Sequence, residues 1–259
     1  MSRTPYPTDL TDAQWKLIEP YVPKPRPGGR PPKYTRREVV NAILYQTGNG
    51  CVWRALPHDL PGYRIVFHYF RLWQTDGTWD RIHDALREKV RRAAGKRPRP
   101  TAAILDSQSV KTTEQGGPRG ADAGKKSGRR KRFVAVDTLG LVWALMVVPA
   151  SIQDRAGGIP LVEQLRSRVK RVKVVWGDAH FDTALRHAWV MWGWVGVVVR
   201  KVVGQVGFVA QPKRWIVERT FGWLNRSRRL AKDYERTAES SEAFVKVAMI
   251  HLMARRLKP

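Results

Sequence analysis

Three acidic residues, widely spaced in a chain of 259, carry the chemistry that this sequence could perform. Asp106 ends the apolar run Ala102-Ala103-Ile104-Leu105. Asp178 follows Val172-Lys173-Val174-Val175-Trp176-Gly177, and Glu218 lies within Arg214-Trp215-Ile216-Val217-Glu218-Arg219-Thr220-Phe221. The first two contexts are those of strand ends, and the third has helical periodicity. Two carboxylates at strand ends and one on a late helix can converge on a pair of divalent metal ions, the usual device for cutting and joining phosphodiester bonds. The formal net charge of the chain is +26, so the polyanion it would meet is nucleic acid.

Each acid also has a structural reading. An Asp after a strand often caps a turn. Glu218 can pair with Arg214 at i−4, a contact worth only a few tenths of a kcal/mol. On a helical wheel, Arg214, Glu218, Asn225, Arg229 and Lys232 share one face, with Ile216, Val217, Trp223, Leu224 and Leu230 opposite. Glu218 is therefore expected on the polar side of a packed helix. Among the other acids, Asp137 reads as a turn residue, and Asp154 and Asp182 read as helix caps.

The elements that must position these residues change character near residue 95. Before it the chain reads as helical. Thr11-Asp12-Ala13-Gln14 is a capping start. Thr35 caps a helix closed by Gly48 and Gly50, and Thr78 caps another bearing Trp79, Ile82, Leu86 and Val90. Between them, Val66, Tyr69, Phe70 and Trp73 form one helical stripe, with Arg64, His68 and Arg71 on the other side. That basic face could enter a major groove, as helix-turn-helix modules do, or be ordinary exposed surface. Pro25 to Pro32 is read first as a connector and second as a minor-groove arm. After the basic hinge Gly95 to Pro100, strands are expected at 102–106, 133–137, 141–148, 173–176 and 195–199. Helices are expected at 159–169, 181–192, 214–230 and 241–257, giving an α/β layered fold.

The segment Thr112 to Lys126 reads as a glycine-rich loop ending in the basic run Lys125 to Arg132. It is expected to clamp phosphates, with a solvated surface as the alternative. The single cysteine, Cys51, allows neither a disulfide framework nor a cysteine zinc site. No apolar signal core starts the chain, and the apolar stretch Leu141 to Val148 is far shorter than the roughly 20 residues a membrane helix needs. A soluble intracellular protein without a membrane partner is expected. Of the eleven tryptophans, Trp189, Trp192 and Trp194 form a cluster read first as core and second as including an exposed base-stacking residue.

Asp106-Ser107-Gln108-Ser109-Val110-Lys111, Gly177-Asp178-Ala179-His180-Phe181-Asp182 and Arg214-x3-Glu218 resemble the three acidic motifs of bacterial insertion-sequence DDE transposases of the insertion-sequence-five family. Val136-Asp137-Thr138-Leu139-Gly140, Pro149 to Arg155, Trp53 to Pro57 and Tyr69 to Trp73 are similar to further segments of that family, so the likeness covers nearly the whole chain. The resemblance implies a ribonuclease-H-like α/β catalytic core at residues 96–259, preceded by a small all-α, helix-turn-helix-like DNA-binding domain at residues 1–95. It implies Mg2+, with Mn2+ as a possible substitute, held by Asp106 as the bridging ligand and by Asp178 and Glu218. Contacts to DNA are expected from Arg64, His68, Arg71, Lys111, Lys125, Lys126, Arg129, Arg130, Arg214 and Arg226. Related elements often carry a lysine seven residues after the glutamate, whereas here that position is Asn225, with Arg226 beside it. The implied partners are the terminal inverted repeats of an element and its target DNA, bound by a homodimer or larger assembly in the bacterial cytoplasm at the nucleoid. The alternatives are an inactive transposase-derived DNA-binding protein and a structure-specific nuclease that does not join.

Overall fold

The structure is a computed structural model that describes residues 3–25, 28, 31–115, 117–122, 125–199 and 213–257, without the side chains of residues 122 and 125–127. Arg26, Pro27, Gly29 and Arg30, half of the expected arm Pro25 to Pro32, lie outside the described residues. The described chain gathers into two units. One comprises residues 1–95, 226–231 and 243–259, and the other residues 96–225 and 232–242.

In the first unit, α1 (Asp12–Ile18) starts with the reciprocal capping box of Thr11 and Gln14. α2 (Arg36–Asn49) is capped by Thr35 and closed by Gly50 alone, whose φ of 73° is a left-handed conformation suited to glycine. α3 (Tyr63–Thr75) buries Val66, Phe70 and Trp73. α4 (Thr78–Ala93) differs from expectation at its start. Gly77 takes the cap position with φ 75°, and Thr78 is the first helical residue, its N–H and hydroxyl both donating to Asp76 Oδ1. The tail of the chain completes this core. Phe244 stacks on Phe70 with ring centroids 4.4 Å apart and meets Trp53 at 5.9 Å.

The second unit is built on a mixed sheet of β1 (Ala102–Lys111), β2 (Gly120–Asp122), β3 (Lys125–Val136), β4 (Val142–Pro149), β5 (Val174–Gly177) and β6 (Val195–Val198). Its order is β2-β3-β1-β5-β6, and β4 also pairs with β3. β3 runs antiparallel to β1 and β4, while β5 is parallel to β1 and β6 parallel to β5. Side chains alternate across the pleat. Ala103, Leu105, Phe133 and Ala135 face a core shared with α5 (Asp154–Arg168) and α6 (Asp182–Trp192), through Leu161, Val162, Leu165, Ala184 and Leu185. Gly157 and Gly158 let α5 approach closely, since a Cβ at either would overlap Phe133 or Phe181 and Ala184. α5 starts five residues before the expected Ile159, at Asp154, and carries Pro160 within it.

The same alternation turns Asp106 to the opposite face, where α7 (Arg214–Asn225) packs through Ile216, Val217, Thr220, Phe221 and Leu224. α7 is fixed in rotation at the β3–β4 turn. The Thr220 hydroxyl donates to Gly140 O, 2.9 Å away, and a Cβ on Gly140 would collide with Thr220 and Trp223. Asp137 is the expected turn residue, accepting from the N–H groups of Leu139 and Leu141 and from Trp143 Nε1. The expected long helix 214–230 is broken, with α7 ending at Asn225 and α8 running from Arg228 to Ala231. Arg229 therefore leaves the Glu218 face and is buried, with its guanidinium 5.3 Å from the Phe244 ring. α9 (Ala238–Arg256) closes the described chain.

Candidate active site

β1 and β5 lie side by side with Ile104 level with Trp176. Asp106 comes two residues further along β1, and Asp178 comes just past the end of β5. Asp106 Oδ1 accepts from the Ser107 N–H at 2.8 Å. Asp178 Oδ1 accepts from the His180 N–H at 2.9 Å and caps the short 3-10 turn Ala179–Phe181. Glu218 is brought over them by α7, one turn after Arg214.

The three carboxylates surround the Arg214 guanidinium. One terminal nitrogen of Arg214 lies 3.9 Å from Asp106 Oδ2 and 3.7 Å from Asp178 Oδ2, and Nε lies 3.8 Å from Glu218 Oε1. The acids thus gather around a cation instead of a shared point. Among the described residues, no three His, Cys, Asp or Glu side chains are placed to hold one metal ion. Asp106 is 8% exposed. Burial pushes its carboxyl up to about 6. The Ser107 hydrogen bond and Arg214 oppose the shift, while Asp178 and Glu218 add to it. Further positive charge beside Asp106 would favour its ionised form.

The residues expected to meet DNA are dispersed. Arg64, His68 and Arg71 are all exposed on α3 of the first unit, where Arg64 Nε donates to the Tyr63 hydroxyl. Lys111 is exposed at the end of β1, level with half-buried Arg129 on β3. Arg226 is exposed in the first unit, after α7. The side chains of Lys125 and Lys126 lie outside the described residues. The expected loop is instead a hairpin of β2 and β3, so the run Lys125 to Arg132 belongs to a strand.

Arg130 requires a correction. It is 1% exposed, 3.1 Å from the Asp233 carboxylate, and donates to the carbonyls of Pro118, Glu235, Arg236 and Thr237. Its donors pin the segment after α8, so it has none to offer a phosphate. Lys131 and Arg132 are buried as well. Asp154 is likewise no cap. Gln153 holds that position, and Asp154 accepts from the Ser107 hydroxyl at 2.7 Å with Lys131 Nζ 3.3 Å away. Asp182 follows Phe181 at the helix start and pairs with Arg186.

Two features escaped sequence reasoning. Arg132 is level with Gln108 on the ladder and so shares the sheet face of Asp106, a placement that strand alternation would have given once β1 was known to run to Lys111. On α7, Arg219 lies 4.6 Å from the ring centroids of both Trp215 and Trp223. Their i, i+4, i+8 spacing was legible. Trp189, expected in the core, is 64% exposed, while Trp194 is buried.

An acid in the middle of β1, an acid just past the end of neighbouring β5 and an acid on the helix packed over them, in a sheet with β3, β1, β5 and β6 adjacent in that order, define a ribonuclease-H-like core of the DDE kind. Residues 97–253 match the transposase DDE domain, and residues 10–83 match a family described as "Putative transposase of IS4/5 family". The chain belongs to the DDE transposases of insertion sequences. It is 36% identical over 114 residues to an uncharacterised 16.2 kDa protein of insertion element IS402 from Burkholderia cepacia, spanning 41% of this chain and 76% of that one. It is 28% identical over 124 residues to the putative transposase of the same element, spanning 45% of this chain and 59% of the relative. Among solved structures, the Mos1 strand transfer complex aligns with a TM-score of 0.33 at 14% identity, covering 90% of this chain and 79% of that one. Among the described residues, no helix is long and apolar enough to cross a membrane.

Proposed function

We propose that this transposase cuts DNA at the ends of its insertion element and joins those ends to target DNA. The observation that carries the reading is the convergence of Asp106, Asp178 and Glu218 on one cation, in a chain of net charge +26. The donor chemistry of these residues suits a divalent metal, while the three carboxylates as placed surround Arg214. Carboxylate oxygens are the donors that Mg2+ prefers, the cluster already accommodates positive charge, and a cation would favour the ionised form of Asp106. Asp106, Asp178 and Glu218 would hold Mg2+, with Mn2+ as substitute, and the ion when bound supplies charge stabilisation for phosphoryl transfer. The backbone N–H groups of Ser107 and His180 engage Oδ1 of each Asp, leaving Oδ2 turned to the cluster.

In cleavage, water attacks phosphorus and the bond to the 3′ oxygen breaks, leaving a 3′-hydroxyl and a 5′-phosphate. In joining, that 3′-hydroxyl attacks a target phosphodiester and expels a target 3′-hydroxyl. Both displacements build negative charge where the basic residues can meet it. Lys111, Arg129, Arg214, Arg226 and the sequence neighbours Lys125 and Lys126 would hold phosphates. Arg64, His68 and Arg71 would read the terminal repeats from α3. Two element ends call for a homodimer or larger assembly, acting at the bacterial nucleoid in the cytoplasm. The test is incubation with DNA carrying the flanking ends and Mg2+, reading cleavage and joining separately. Cleavage without joining would mark a structure-specific nuclease, and binding with neither would mark an inactive descendant.

A further inference from the structure

Among the described residues, Arg214 is the one cation set among the three acids, and the metal reading gives it no place there. Its contacts of 3.7 to 3.9 Å to Asp106, Asp178 and Glu218 are all longer than a hydrogen bond. Its Nε is buried and has no hydrogen-bond partner among the described residues. The guanidinium is therefore held by charge alone, shared among three carboxylates. That hold opposes their mutual repulsion, and it has no directional bond to break. Arg214 is also the first residue of α7, so its side chain has no preceding helical turn to pack against. Lys213 before it has a φ of 67°, the left-handed region that a non-glycine residue seldom enters. The chain thus turns sharply at the root of this side chain. A divalent ion among the same oxygens would stand within a few ångströms of the guanidinium, and two cations at that distance repel strongly in a partly buried site.

We propose that Arg214 is the resident counter-cation of the acidic cluster, holding Asp106, Asp178 and Glu218 together in the metal-free protein and leaving that position when a divalent metal binds. The inference rests on the reading of those acids as metal ligands. It makes Arg214 a positioning residue that competes with the metal. The displaced guanidinium then becomes available to a phosphate, because one side chain cannot serve both the acids and the DNA.

The test is Mn2+ binding to the full-length protein without DNA, read as loss of the free aqueous Mn2+ resonance in electron paramagnetic spectra. Wild type is compared with R214Q, R214A, R214K and E218Q, each checked for folding by circular dichroism. Both neutral variants should bind Mn2+ more tightly, by about tenfold, equivalent to about 1.4 kcal/mol. R214K keeps the charge and should stay close to wild type, while E218Q should bind weakly. The two neutral variants guard against Gln acting as an added ligand. Unchanged or weaker binding in R214Q and R214A overturns the proposal, as does R214K behaving like them. If E218Q binds Mn2+ as wild type does, the metal-site reading itself fails, an outcome distinct from failure of the competition.

Discussion

The Arg130 guanidinium and the Asp233 carboxylate meet 3.1 Å apart in the interior of the sheet unit, 103 residues apart in sequence. Ser241 Oγ donates to the other Asp233 oxygen, and the Glu235 N–H donates to the oxygen facing Arg130. Breaking a buried pair on one side leaves an uncompensated charge, which costs on the order of 3–5 kcal/mol. Arg130→Met should lower stability by about that amount, read from the midpoint of denaturant unfolding. A variant as stable as wild type would return Arg130 to the surface role first expected of it.

Asp178→Asn keeps an oxygen to accept from the His180 N–H and removes the negative charge. Mn2+ binding and DNA cleavage should both be lost, while affinity for duplex DNA persists, because the basic surface is untouched. Metal titration, a cleavage assay and a mobility shift run in parallel decide it. Cleavage near the wild-type rate would remove Asp178 from the ligand set.

Arg64 and Arg71 stand exposed on α3. Replacing both with Ala should narrow the gap between terminal-repeat and random DNA, by about 1–3 kcal/mol for each base edge no longer read. Competition binding at fixed salt measures the gap. An equal fall for both DNAs would make these arginines phosphate contacts.

His83 is buried on α4, and burial holds its imidazole at about 4. The Asp84 hydrogen bond opposes this shift, while Arg87 and Lys246 reinforce it. His251 is held at about 4 as well, first by burial and then by Arg255. Both values lie below the ordinary 6.5, so the unfolded chain takes up these protons first as pH falls. Their contribution to stability is complete above about pH 6.5 and is lost on the way down to about pH 4, at up to about 1.4 kcal/mol per pH unit for His83. Denaturant titrations across that window should show the slope, and His83→Gln should flatten it. A slope that H83Q leaves unaltered would mean that His83 is already charged when folded.

Much of the acidic cluster was legible because its signals are local. Ala102 to Leu105 and Val172 to Gly177 are apolar runs that stop at an Asp, and Arg214 and Glu218 are one helical turn apart. The long polar half of the β1–β3 ladder was not. Ser107-Gln108-Ser109 and Lys125 to Arg132 show no apolar alternation, and their strand state comes from partners 18 to 32 residues away, from Lys111↔Arg129 to Ile104↔Val136. A run of cations therefore read as a phosphate-clamping loop, whereas Arg130, Lys131 and Arg132 are interior. The break after Asn225 was hidden for a related reason. The wheel of residues 214–230 is continuous, and only the burial of Arg229 against Phe244 shows that the chain changes units there.

The return of the chain's last segment to the first unit orders events during synthesis. Phe70 is made early, but its stacking partner Phe244 emerges 174 residues later. Val245, Met249 and Met253 of the same helix are also fully buried. The N-terminal helices therefore leave the ribosome with part of their interior still unmade, and they wait through translation of the whole sheet. A transcript broken anywhere before α9 yields a chain that keeps the basic α3 yet lacks the residues that finish its core. Such fragments should be cleared by proteolysis before they can occupy element ends. The placement of one C-terminal helix thus couples the first helices to complete synthesis of the chain.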